Sequence, residues 1–324
     1  MQVRDITPSV VLAVVLSLVI STVVYAQSGA FPNKPVRIIV PYEAGGGVNA
    51  IARLIAQRLS EAWGQSVVIV NRGGAGSTLG TGIAAKARPD GYTLLFNSIA
   101  LATNATLYQP LPYDTLRDLA PVCLLATQSN VLVINPSVPA NSVAELIQFE
   151  KAKPGRISIG SGGGAAHLAT ELFRSMSGLN VVIANYKGGG QALIALMSGD
   201  VQMLISTMSD VLPHITSGKV KALAVTGAKR SSIAPSLPTL SEVGLAGYEY
   251  STWYGVLTPA GVPTAIISQL NQDIIRALES PEVRKWFAST GLEPLISTPE
   301  EFAHYLRTEI AKWAKVIEAA GIKP

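Results

Sequence analysis

Three clusters of glycine, at residues 45–47, 162–164 and 188–190, carry the chemistry this sequence offers. Each follows a strand-like run and precedes apolar residues at helical spacing. A helix N-terminus leaves backbone N–H groups unpaired and carries partial positive charge. Glycine at that point removes the Cβ that would hold a ligand away from the backbone. The pattern points to reversible binding of a small anion. The competing reading is that each glycine only makes a tight turn; three loops with the same placement favour the anion site. Side chains rich in hydrogen-bond donors accompany them: Tyr42, Asn49, Ser98, Ser161, His167, Tyr186, Lys187, Ser206 and Thr207. For His167 alone, a histidine on a helix face is the competing reading.

Other chemistries lack their residues. No G-x-S-x-G elbow occurs. His167, His214 and His304 show no metal-ligand spacing among themselves or with Cys123, the single cysteine. Cys123 sits in an apolar stretch and reads as a small buried hydrophobe. GAGSTLG at 74–80 follows a strand and suggests a dinucleotide loop, yet its spacing departs from G-x-G-x-x-G. No cofactor is expected, and an enzyme is the least favoured reading. The net charge of +4 is not gathered into runs of Lys or Arg, so no nucleic-acid partner is expected.

The elements that must position these loops alternate. A strand at 35–40, a helix ending at Trp63, a strand at 66–70, a helix to about Ala87 and a strand at 92–96 make a βαβαβ run. The grammar returns with strands at 156–160, 180–184, 201–205 and 222–227. Helices at 264–278, 282–289 and 299–320 close the chain, the last opened by Thr298, Pro299 and Glu301 as a capping box. In an open α/β sheet, loops at the carboxyl ends of strands hold ligands. The expected architecture is α/β: two lobes, each a mainly parallel sheet flanked by helices, joined by crossover segments near 124–133 and 248–257. Lobe 1 takes 27–128 and 250–324, and lobe 2 takes 129–249. Residues 1–26, with Arg4, an apolar run at 10–20 and a small-residue site ending at Ala26, read as a cleaved signal peptide. A periplasmic location follows, with an uncleaved anchor as the alternative.

The chain resembles the Bug-type solute receptors of tripartite tricarboxylate transporters. The resemblance rests on KPVRIIVPY (34–42), the loop at Gly45, NRGGAG (71–76), PDGYTLL (89–95), LPYD (111–114) and YKG (186–188). LPHI (212–215), ALAVT (222–226), LPTL (237–240) and WYG (253–255) continue it in order. It implies a periplasmic two-domain clamp that captures a small carboxylate, delivers it to membrane transporter subunits and works as a monomer. Carried over by motif, the ligand-binding residues are Tyr42, Gly46, Gly47, Asn49 and Ser98 on one lobe. On the other they are Ser161, His167, Tyr186, Lys187, Gly188, Ser206 and Thr207. The family commonly has Asp where Asn49 stands, Val-Pro where Ala184-Asn185 stands, and an Asp-Asn type pair where Ser206-Thr207 stands. Neutral Asn49 offers no charge to a ligand ammonium, so a carboxylate lacking an amine is the expected solute. A periplasmic sensor with the same cleft is the alternative function.

Overall fold

The computed structural model describes residues 31–162 and 164–322; the expected signal peptide lies outside them. Chain order begins with β1 (Val36–Val40), α1 (Gly46–Trp63), β2 (Val67–Asn71), α2 (Thr78–Ala85) and β3 (Thr93–Ser98). β1 pairs in parallel with β2 on one side and β3 on the other. α1 covers this sheet because Ile51, Ala52, Ile55 and Leu59 fall on one helical face and are all buried. Gly64 stops it in the left-handed conformation, φ 62°.

After α3 (Ala100–Leu107) comes β4 (Leu119–Ile134), a strand of 16 residues that belongs to two sheets. Its first part pairs antiparallel with β9 (Ser251–Pro259), which pairs antiparallel with β3. Its last part is flanked by β7 (Met203–Thr207) and β8 (Lys221–Val225), both antiparallel. β5 (Ser158–Ser161) joins β7 and β6 (Val182–Asn185) in parallel. Between these strands run α4 (Val143–Ala152), α5 (Gly164–Ser177), α6 (Gly189–Ser198) and α7 (Met208–Thr216). Each lobe thus has three parallel strands, and antiparallel partners are added where β4 and β9 enter. The mixing follows from topology: β4 and β9 are themselves the crossovers, so they run through the sheets rather than stopping at helix-connected ends.

The two crossovers meet at Thr226. Its hydroxyl accepts from the Asn130 N–H (2.9 Å) and donates to the Tyr250 carbonyl (2.7 Å). The Tyr250 N–H returns to the Thr226 carbonyl at 2.8 Å, and the Thr252 hydroxyl donates to Asn130 Oδ1 at 2.9 Å. Thr226 is fully buried, so its hydroxyl takes its partners from the two crossovers.

The chain ends with α8 (Thr264–Glu279), α9 (Pro281–Thr290), the short β10 (Glu293–Pro294) on β4, and α10 (Pro299–Ala320). The capping box read from Thr298 and Glu301 is present in both directions. α10 lies against β9: a Cβ on Gly255 would run into the ring of Phe302. Buried Glu309 accepts from the indole N–H groups of Trp253 (3.1 Å) and Trp313 (3.0 Å), tying helix to strand. Among the described residues, no helix is long and apolar enough to cross a membrane.

Candidate functional site

The three glycine loops come together where the lobes face each other. Gly162 and the loop before α6 touch backbone to backbone: a Cβ built on Gly162 would lie 2.7 Å from Gly189 N and 3.0 Å from its Cα. Gly47, in the first turn of α1, faces the start of α7 in the other lobe. A Cβ there would lie 3.0 Å from Ser209 Oγ, 3.5 Å from Asp210 Oδ1 and 4.0 Å from Thr207 Oγ1. Asp210 closes the ring, since its Oδ2 lies 4.0 Å from the Cβ position of Gly189.

The helices that start here carry no side-chain cap. Gly45 before α1, Ser77 before α2, Gly188 before α6 and Thr207 before α7 all lack one. Their first N–H groups therefore receive no side-chain cap from their own N-cap residue. By contrast, α4 is capped by the Ser142 hydroxyl and α10 by Thr298. α8 and α9 also lack a side-chain cap and begin beside Pro263 and Pro281.

On the first lobe, Tyr42 leads a buried polar group. Its hydroxyl lies 2.6 Å from Ser98 Oγ and donates to Asn97 Oδ1 at 2.9 Å. Burial pushes the phenol up to about 12, against the pull of hydrogen bonds with Ser98 and Ser77. Tyr42 therefore stays a neutral hydroxyl donor. Asn71 holds its carbonyl at 3.0 Å. Ser77 is buried at φ +83°, next to Ala75 at φ +46°, a conformation unusual for residues with side chains. Asn104 fixes this turn through the Gly76 carbonyl (2.7 Å) and Ser77 Oγ (3.2 Å). The glycines of 74–80 serve that packing: a Cβ on Gly76 would meet Tyr108, and one on Gly80 would meet the Arg72 carbonyl. The dinucleotide reading of this stretch loses its support.

Two sequence-nominated side chains keep buried, unpartnered nitrogens. Asn49 Oδ1 accepts from Arg53 Nε at 2.8 Å, while its Nδ2 has no protein partner among the described residues. His167 Nδ1 is likewise unpartnered, with Nε2 3.6 Å from Glu171. Thr207 joins the cleft group, its Oγ1 3.2 Å from Ser209 Oγ. Ser161 is buried at the carboxyl end of β5. Tyr186 is half-buried and held through its N–H to the Ser161 carbonyl (2.8 Å). Ser206 is buried and, by strand alternation, points to the sheet face opposite Thr207. Lys187 is exposed, and Gly46 and Gly188 contribute backbone at the starts of α1 and α6.

Several residues here were not nominated from the sequence. Tyr254 stands opposite Ser98 in the β3–β9 ladder, and its hydroxyl reaches Gln128 Oε1 at 3.4 Å. Ser209 reaches the same oxygen at 3.3 Å, and Gln128 anchors on the Thr290 carbonyl. Asp210 and Ser77 complete the set. Asp210 carried one local signal, an acid in the first turn of a helix, but its neighbours Gly47 and Gly189 are remote in sequence. A surface depression lined by Glu300, Glu301, His304, Tyr305 and Thr308 lies on α10 and includes none of these residues. Among the described residues no three His, Cys, Asp or Glu side chains gather as a metal site.

Comparison with known proteins bears on the family and the fold. Residues 51–322 match the model of the tripartite tricarboxylate transporter family receptor, TctC. Protein BugT of Bordetella pertussis is 38% identical over 301 residues, 92% of each chain. The solved structure of R. palustris Rpa4515 with adipate superposes with a TM-score of 0.86 at 37% identity, covering 91% of this chain and 99% of that one. MatC from Rhodopseudomonas palustris with bound malate superposes at 0.83 with 28% identity, covering 89% and 100%. The fold is that of the two-lobed periplasmic binding proteins, and the chain belongs to the tripartite tricarboxylate transporter receptor family.

Proposed function

We propose that this protein captures a small carboxylate in the periplasm, closes two lobes on it and delivers it to a tripartite transporter without transforming it. The observation that carries the reading is the meeting of uncapped N-termini from both lobes at one point, with the buried Asn49 Nδ2 beside the start of α1. The relatives solved with adipate and with malate add support. The ligand contacts are Tyr42, Asn49, Ser98, Ser161, His167, Tyr186 and Thr207, with backbone from Gly46, Gly47 and Gly188. Lys187, exposed in the loop before α6, and Ser206, buried on β7, complete the nominated set.

Magnitudes show why side chains are needed. One helix terminus contributes roughly 0.3–2 kcal/mol toward an anion, so three give about 1–6 kcal/mol. Micromolar affinity needs about 8 kcal/mol. Hydrogen bonds to a charged group, about 1.5–3 kcal/mol each, supply the difference. Asn49 Nδ2 and the Tyr186 hydroxyl are the donors assigned to that role, with backbone N–H groups of the loops.

Thermal unfolding with a panel of solutes tests the proposal. At about 100 times its dissociation constant a true ligand adds roughly 2.7 kcal/mol of stability. Mono-, di- or tricarboxylates should raise the midpoint with concentration, and sugars should not. A panel in which no carboxylate shifts the midpoint overturns the reading. Intact-mass measurement of exported protein checks the location: it should begin at Gln27.

A further inference from the structure

Asp210 is a carboxylate placed where the glycine loops gather positive potential. It belongs to α7 on one lobe and faces Gly47 of α1 on the other, at 3.5 Å from that residue's Cβ position. The Gly47 N–H and the Thr207 hydroxyl act on it, which offsets part of the rise in proton affinity that burial imposes. Both donors are neutral, and among the described residues no Lys, Arg or His lies within ion-pair distance of Asp210. Its charge is felt by Tyr254, a phenol that burial holds neutral. A half-buried carboxylate held by two neutral donors and no cation keeps acceptor capacity for a ligand donor. A second carboxylate brought beside it meets like-charge repulsion in a low-dielectric cleft.

We propose that Asp210 is a specificity-determining residue, selecting a carboxylate solute that also bears a hydroxyl or ammonium donor over one that bears carboxylates alone. The inference rests on the carboxylate-receptor reading above. The solute's acid group takes the remaining loop N–H groups, and its donor faces Asp210. The preference expected from neutral Asn49 is then reversed, because the acceptor for a ligand donor stands on α7 instead of α1.

Calorimetric titration of the wild type with malonate, succinate, glutarate and adipate, and with their 2-hydroxy and 2-amino counterparts, tests this. At the best-fitting chain length a donor-bearing acid should bind about tenfold or more tightly than the plain one. Whether the hydroxy or the amino acid leads identifies the donor. Asp210→Asn should cut that ratio to below about threefold, mainly by strengthening the plain acid. Asp210→Ser serves if Asp210→Asn does not fold, as judged by circular dichroism. A wild-type preference for the plain acid, or a ratio unchanged in the folded variant, overturns the role of Asp210 while leaving the receptor reading intact. Absence of binding by every acid of every length counts against the receptor reading itself.

Discussion

The backbone of Gly189 rests against Gly162, with 2.7 Å between Gly189 N and the place a Cβ on Gly162 would take. Two loops from different strand–helix units are thereby fixed at contact distance. Gly162→Ala must push them apart. We expect a loss of about 1–3 kcal/mol in stability from overpacking and at least a tenfold loss in carboxylate affinity, read by chemical denaturation and calorimetry. Unchanged affinity in a folded variant would mean that the spacing of these loops is irrelevant to binding.

Thr226 joins the two crossovers through one buried hydroxyl. Thr226→Val keeps the shape and strands the Asn130 N–H. The expected cost is about 1–3 kcal/mol, from leaving a buried polar group unpaired. Urea unfolding checks it. Small-angle scattering with and without ligand adds the functional side: closure about 128–130 and 250–252 should reduce the radius of gyration on binding.

Alkaline titration should show cooperative release of tyrosine protons. Burial raises Tyr42 and Tyr113 to about 12, and Tyr248, Tyr250 and Tyr254 are raised too. A neutral acid with a raised folded pKa stabilises the fold fully below its unfolded value, near 10. That stability is lost as pH rises toward 12. Absorbance at phenolate wavelengths should therefore rise together with loss of the far-ultraviolet signal. Ionisation of these tyrosines in a fully folded protein near pH 10 would contradict the burial described here.

Cys123 is fully buried, and desolvation lifts its thiol to about 11. Only the thiolate reacts. A disulfide reagent at pH 8 should label it in denaturant and leave it essentially untouched in the native protein. Rapid native labelling would show that the strand β4 opens locally.

Much of this was legible in the sequence where structure is local. α1 and α10 announced themselves through Ile51, Ala52, Ile55 and Leu59 on one face and through the Thr298–Glu301 box. α3 did not: Ala100, Leu101, Ala102, Thr103 and Asn104 are all buried, so no amphipathic period marks it. α7 carries Pro213 in its interior, which argues against a helix until the surrounding fold supports one. β4 reads locally as a crossover, and its double membership depends on β7 and β9 arriving from far along the chain. At the site, the glycine loops and Tyr42, Asn49 and Thr207 were nominated by residue type. Asp210, Gln128 and Tyr254 were not, because their significance lies in cross-lobe neighbours that no local pattern encodes.

The central claim is that uncapped helix termini and neutral donors recognise negative charge on a small solute. The direct measurement is calorimetric titration of the wild type with the best-bound dicarboxylate and with its diamide, a neutral molecule of nearly the same shape. Loss of charge at two groups, at about 1.5–3 kcal/mol each, predicts at least about a hundredfold weaker binding of the diamide. Equal affinity for the two would show that the cleft reads shape and not charge, and would contradict the account.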